Sequence, residues 1–131
     1  MTVVKYVLYL FALVFVVSGV FAVLPFPWIN NYMEWAGSVT FPGDAIAVYT
    51  MRSFLLIILW LGVLIYVAVR EPVTHGHVLQ VLGGMFLSTA VLCLVLGTRY
   101  GLPHFYYYDV ISSAVLGVLL IVYQRANRAA P

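Results

Sequence analysis

Hydrophobic residues fall along this chain in four long runs, separated by short stretches that are polar or rich in aromatic rings. The clearest run is Tyr49 to Arg70, YTMRSFLLIILWLGVLIYVAVR, with one arginine near each end. Roughly 18 or more apolar residues with few charges are long enough to cross a bilayer as a helix. Val3 to Leu24 and His77 to Gly97 are of the same kind, and Asp109 to Tyr123 joins them if its helix begins a few residues earlier. The pattern predicts an all-α membrane protein, an antiparallel four-transmembrane-helix bundle. It forms a single domain over 1–131, with spans at about 3–24, 49–70, 77–97 and 106–124.

The first run, with Lys5 ahead of it and Val20-Phe21-Ala22 near its end, has some features of a signal peptide. It is longer than the roughly 7–15 apolar residues of a signal core, so it is taken as the first span. Pro25 and Pro27 are expected to end it, since proline lacks an amide hydrogen and restrains its predecessor. The connection from Phe26 to Val48 is long and carries Trp28, Tyr32, Trp35 and Phe41, with Glu34 and Asp44 its only charges. Aromatic rings of this kind collect at the headgroup level. A short interfacial helix is expected over Ile29 to Trp35, and Pro42-Gly43-Asp44 should turn the chain into the next span. Connections this long are uncommon unless they act as lids or docking surfaces; the plainer account is an interface-lying connector. The short link Val73 to Gly76 makes spans two and three a helical hairpin. In the third span, Gly84 and Ser88 lie four apart, with Gly83 widening the notch. Small residues so spaced let helix backbones approach in lipid, and Gly117 belongs with them on the fourth span. Phe105-Tyr106-Tyr107-Tyr108 reads as a second aromatic belt, and the tail Gln124 to Pro131 as solvated.

Composition supports the membrane reading. Of 131 residues, 65% are hydrophobic and 8% charged, against about 25% charged in soluble domains. The net charge of +2 and the lack of a basic cluster outside the tail leave nucleic acid without a binding surface. The single cysteine, Cys93, forms no internal disulfide and no CxxC pair, and reads as a packing residue. Lys5, Arg70, Arg125 and Arg128 fall on one side of four spans, and Arg52 and Arg99 on the other. The positive-inside rule then places both termini in the cytoplasm, and a bacterial inner membrane is the expected location.

The candidate chemistry is sparse. Four spans put Arg52, Arg99 and Asp109 at one outer face, with Glu34, Asp44 and His104 in the loops above. On the fourth span Asp109, Ser112, Ser113, Leu116, Gly117 and Leu120 share a stripe expected to face the bundle. An isolated charge in the membrane is costly and tends to find a partner, which predicts an Arg52–Asp109 pair supported by Ser112 or Ser113. Arginine's planar fork suits a carboxylate or the polar head of a lipid, quinone or other anionic ligand. Arg99 and His104 border the same pocket, and His104 is the best acid–base candidate because its charge changes near neutral pH. The plainer account is a pair that locks helices together, or two groups that reach separately to the headgroups. His75 and His77 lack a third ligand, so no metal is expected, and no haem clamp can join His77 to His104 across the membrane. No phosphate loop, H-E-x-x-H or nucleophile elbow is present, and no cofactor is implied. Tyr9, Tyr66 and Gln80 are the notable polar side chains within the spans.

Ser18-Gly19, Met51-Arg52-Ser53, Gly62, Gly101-Leu102-Pro103 and Asp109, set in this layout, resemble the small four-span bacterial membrane proteins around the DoxX-like families. That resemblance implies an accessory membrane role beside quinone-linked or redox-stress assemblies, and it transfers no catalytic residue. Three function classes follow. The leading one is a non-catalytic accessory or assembly subunit, with other membrane subunits or a second copy of itself as partner. The second is a binding module for a lipid, isoprenoid or quinone at Arg52 and Asp109. The third is a membrane enzyme using Asp109 or His104.

Overall fold

The computed structural model describes residues 1–37, 40, 42–101 and 106–128. Among these residues the chain is all-helical: α1 (Thr2–Val20) with a 3-10 turn (Phe21–Val23), α2 (Phe26–Gly37), α3 (Ala45–Arg70), α4 (Gly76–Arg99) and α5 (Tyr106–Arg128). α1 with its 3-10 turn, α3, α4 and α5 are each long and apolar enough to cross a membrane, and the chain is a multi-pass membrane protein. At about 1.5 Å per residue α3 is roughly 39 Å long, more than the ~30 Å hydrocarbon core of a bilayer.

The helix ends have local causes. α1 tightens into the 3-10 turn and stops at Leu24, whose ψ of 159° is extended, as a residue before proline prefers. Pro27 does not end a helix. It sits in the first turn of α2, where a missing N–H removes no internal hydrogen bond; Trp28 and Ile29 donate instead to the Pro25 carbonyl, at 3.0 and 3.4 Å. The interfacial helix is longer than Ile29 to Trp35 because it gains this proline-led turn. α3 begins at Ala45 rather than residue 49, because the Asp44 carboxylate caps it by accepting the Ala47 N–H at 2.9 Å. α5 continues past residue 124 to Arg128, so Gln124 is not part of a solvated tail.

The chain divides into two compact units. The first comprises Met1–Phe11 and Ile65–Pro131, and within it α4 packs along α5. A Cβ on Gly83 would stand 3.0 Å from the Gly117 carbonyl oxygen and 2.6 Å from Ile121 Cγ1. One on Gly117 would stand 2.9 Å from the Gly83 carbonyl. Gly97 leaves room for the Tyr106 ring, while Gly76 lies by Gln124 and Arg128. These contacts descend α5 as they climb α4, so the two helices run antiparallel. Leu79, Leu82, Phe86 and Ala90 are buried on α4, and Leu116, Leu120 and Tyr123 on α5. The Tyr123 hydroxyl donates to the Val69 carbonyl at 3.2 Å. Lipid tails are as apolar as leucine, so such helices associate through close packing and hydrogen bonds. The paired glycines provide the first and Tyr123 the second.

The second unit is Ala12–Leu64. Gly62 meets Ala12, Phe15 and Val16, and Gly19 meets Leu55 and Leu59, so these parts of α1 and α3 also touch through glycine. α2 is held by Ile29, which is buried, and by a stack of Phe21 on Tyr32 with ring centroids 4.6 Å apart. Trp28 and Trp35 remain exposed, as suits rings that lie at a lipid headgroup layer.

Candidate functional site

Arg52 lies in the second turn of α3, partly buried. Its Nη2 donates to the Leu24 carbonyl at 3.2 Å. That carbonyl is open because the Trp28 N–H, which would reach it along a continuous helix, goes to Pro25 instead, and Pro27 has no N–H to offer. The guanidinium is therefore seated at the junction between α1's 3-10 turn and α2. Its Nε is closed off and has no hydrogen-bond partner among the described residues. A buried donor left without an acceptor is costly, so this edge of the fork is chemically competent to take an oxygen from a carboxylate or an anionic headgroup.

Arg99 and Asp109 belong to the first unit, Arg52 to the second. Arg99 is exposed in the last turn of α4, where a cation complements the helix dipole. Of the stripe expected to face inward, Leu116, Gly117 and Leu120 are buried, Ser113 is half-buried, and Asp109 and Ser112 are exposed. Ser112 Oγ donates back to the Asp109 carbonyl at 3.3 Å, which occupies the hydroxyl within its own helix. His104 and Phe105 lie outside the described residues, as do Phe41, Leu102 and Pro103.

The small residues separate by face. Gly83 and Gly117 form the contact between α4 and α5, whereas a Cβ on Gly84 would meet nothing within 4 Å. Ser88 shares that exposed side, and its hydroxyl donates to the Gly84 carbonyl at 2.9 Å. Val81, Met85, Ser88, Leu92 and Val95 follow one another at alternating spacings of four and three, and all are exposed. Residues so spaced share one face of the helix.

At the opposite end of α4 the two histidines part company. His75 Nδ1 pairs with the Glu71 carbonyl at 3.3 Å, and His77 Nδ1 with Arg128 Nη2 at 3.4 Å. Arginine only donates, so in this pair His77 Nδ1 is the acceptor. Nearby, Gln124 is only 3% exposed. With Gln80, Ile121, Arg125 and Arg128 it lines a cavity of about 520 Å³. No family profile, curated protein or solved structure matches the chain. Its function is therefore argued from its own side chains.

Sequence reasoning missed Gln124 and the packing glycines Gly19, Gly62, Gly76 and Gly97. A signal for Gln124 was present: it stands four residues beyond Leu120 and eight beyond Leu116, on the same inward stripe. Gly62 carried a weaker one, as a lone small residue in an otherwise bulky run.

Proposed function

We propose that this protein is a non-catalytic accessory or assembly subunit of a larger membrane complex, of the kind the resemblance to DoxX-like families implies. It lies in a bacterial inner membrane as an antiparallel four-helix bundle with both termini in the cytoplasm. The observation that carries this reading is the outward seam of α4. Gly84 leaves an open notch there, Ser88 is satisfied within its own helix, and Val81, Met85, Leu92 and Val95 flank them. An apolar seam with a small centre admits a helix backbone from a partner subunit, at a depth where branched side chains would hold it off. The partner is another membrane subunit; a second copy of this chain is the other outcome that the test below resolves.

The test is native mass spectrometry of the protein gently extracted from cells expressing it at chromosomal level, compared with Gly84→Leu. Other subunits in fixed stoichiometry with the wild type, lost in the variant, support the reading. A wild-type protein that flies as a bare monomer overturns it.

A second reading is favoured by the closed Nε of Arg52, unpartnered among the described residues: binding of the polar head of a lipid, isoprenoid or quinone at the start of α3. Arg52→Lys keeps the charge and removes the fork. Loss of a retained apolar small molecule in Arg52→Lys supports this reading, and its retention in both Arg52→Lys and Arg52→Met removes the basis for it.

A further inference from the structure

α4 starts without a side-chain cap: its N-cap is His75, at φ −104° and ψ 22°, and no side chain accepts from the first turn. The first N–H groups of a helix have no internal partner, and a helix dipole places partial positive charge beside them. Two further donors converge on the same spot. The point where a Cβ on Gly76 would stand lies 3.7 Å from Gln124 Nε2 and 3.8 Å from Arg128 Nε. Gln124 is almost wholly buried, and its Nε2 has no hydrogen-bond partner among the described residues. Both side chains line the cavity of about 520 Å³, together with Gln80, Ile121 and Arg125. That volume lies within the roughly 300–1,000 Å³ of small-molecule sites. Among the described residues no acidic side chain lines it.

We propose that this cavity is a binding site for a phosphate group, carried either by an anionic phospholipid or by free phosphate. Phosphate offers several acceptor oxygens, and the lining supplies donors for them in the Gln124 amide and the Arg125 and Arg128 guanidiniums, Arg128 also pairing with His77 through Nη2. The uncapped start of α4 lies one turn before the lining residue Gln80. Basic pockets between transmembrane helices recognise anionic headgroups by this chemistry. Arg125 and Arg128 also complement the C-terminal dipole of α5, which accounts for their charge alone. It does not account for a buried amide nitrogen with nothing to donate to, set beside an uncapped helix start. The site uses no residue of the outward seam of α4 and stands apart from the partner-subunit reading.

The experiment uses the full chain, delipidated in neutral detergent. It is titrated separately with phosphatidylglycerol, with phosphatidylcholine and with inorganic phosphate at constant ionic strength. Lipid adducts are read by native mass spectrometry and phosphate by calorimetry. Three variants are compared. Arg128→Gln removes one charged donor. Gly76→Ala keeps every charge, adds a methyl at ordinary contact distance from its neighbours, and fills the point on which the donors converge. Arg99→Gln changes an arginine at the other end of α4. Wild-type protein is expected to hold phosphatidylglycerol or phosphate, with both Arg128→Gln and Gly76→Ala weakened by about tenfold, the scale of one charge-assisted hydrogen bond, and Arg99→Gln unchanged. Preference for phosphatidylglycerol without an effect of phosphate identifies a lipid site; the reverse identifies free phosphate. Equal binding by wild type and Gly76→Ala, or no preference for either anion over phosphatidylcholine, overturns the proposal. If Arg128→Gln fails to fold, Gly76→Ala decides alone.

Discussion

At the scale of single residues, stability rests on a few groups whose partners are backbone atoms. Tyr123 reaches across from α5 to the Val69 carbonyl, a bond buried away from competing water. Tyr123→Phe keeps the ring and removes the donor, so it should cost about 1 kcal/mol. Thermal unfolding in detergent measures the loss, and an unchanged midpoint would show that the carbonyl finds another donor. Gly101, just beyond α4, has φ +60°, a left-handed conformation that costs other residues roughly 1–2 kcal/mol. Gly101→Ala should therefore lower the same midpoint. Arg52 differs from both, because its seat depends on a neighbour: the Leu24 carbonyl is open only through the prolines that follow it.

At the scale of elements, α4 is a helix with two working sides. One is closed against α5 through Gly83 and Gly117, where each glycine faces the other's carbonyl. The other presents Gly84 and Ser88 outward. Adjacent positions on a helix differ by about 100°, so neighbouring glycines have opposite tasks. Gly83→Leu should disrupt the α4–α5 pair, with a cost on the order of 1–3 kcal/mol for forced overpacking against backbone. Gly84→Leu should leave the monomer's unfolding unchanged and affect assembly alone. Unfolding in mixed micelles compares the two, and equal destabilisation would show that the faces are not distinct. α3 is bounded by a different device. The Asp44 carboxylate caps its start, and Asp44→Ala should shorten the helix and cost about 1 kcal/mol, visible as a small loss of helical circular dichroism.

At the scale of the whole molecule, four apolar helices define a multi-pass membrane protein, and few charges orient it. Lys5, Arg70, Arg125 and Arg128 against Arg52 and Arg99 predict cytoplasmic termini. Cysteine labelling tests this in intact cells, with Cys93 replaced by serine and single cysteines placed at Asn31 and Thr74. A membrane-impermeant maleimide should label residue 31 at once and residue 74 only after permeabilisation. The opposite pattern would invert the topology and move the proposed phosphate site to the outer leaflet.

The amino-acid sequence by itself determined the solvent and the elements. A run of apolar residues is a local property, and its length against the bilayer thickness needs no tertiary contact to be read. The same holds for the aromatic segment of α2, since a tryptophan's preference for the headgroup layer belongs to the ring itself. Which residues do the packing was decided by tertiary structure. Gly83 and Gly84 are chemically identical, and only the position of α5 selects the first for the contact. Gln124 carries a side chain equally at home in a solvated tail, and only the docking of α5 on α4 buries it and leaves its amide nitrogen facing Gly76 without a partner. Arg52 was legible as an arginine that must find something to bind. That it found the Leu24 carbonyl depended on a helix end formed by Pro25, twenty-seven positions away in sequence. The physical reason is common to all three: local sequence sets what a side chain can do, and the neighbouring helix sets what it meets.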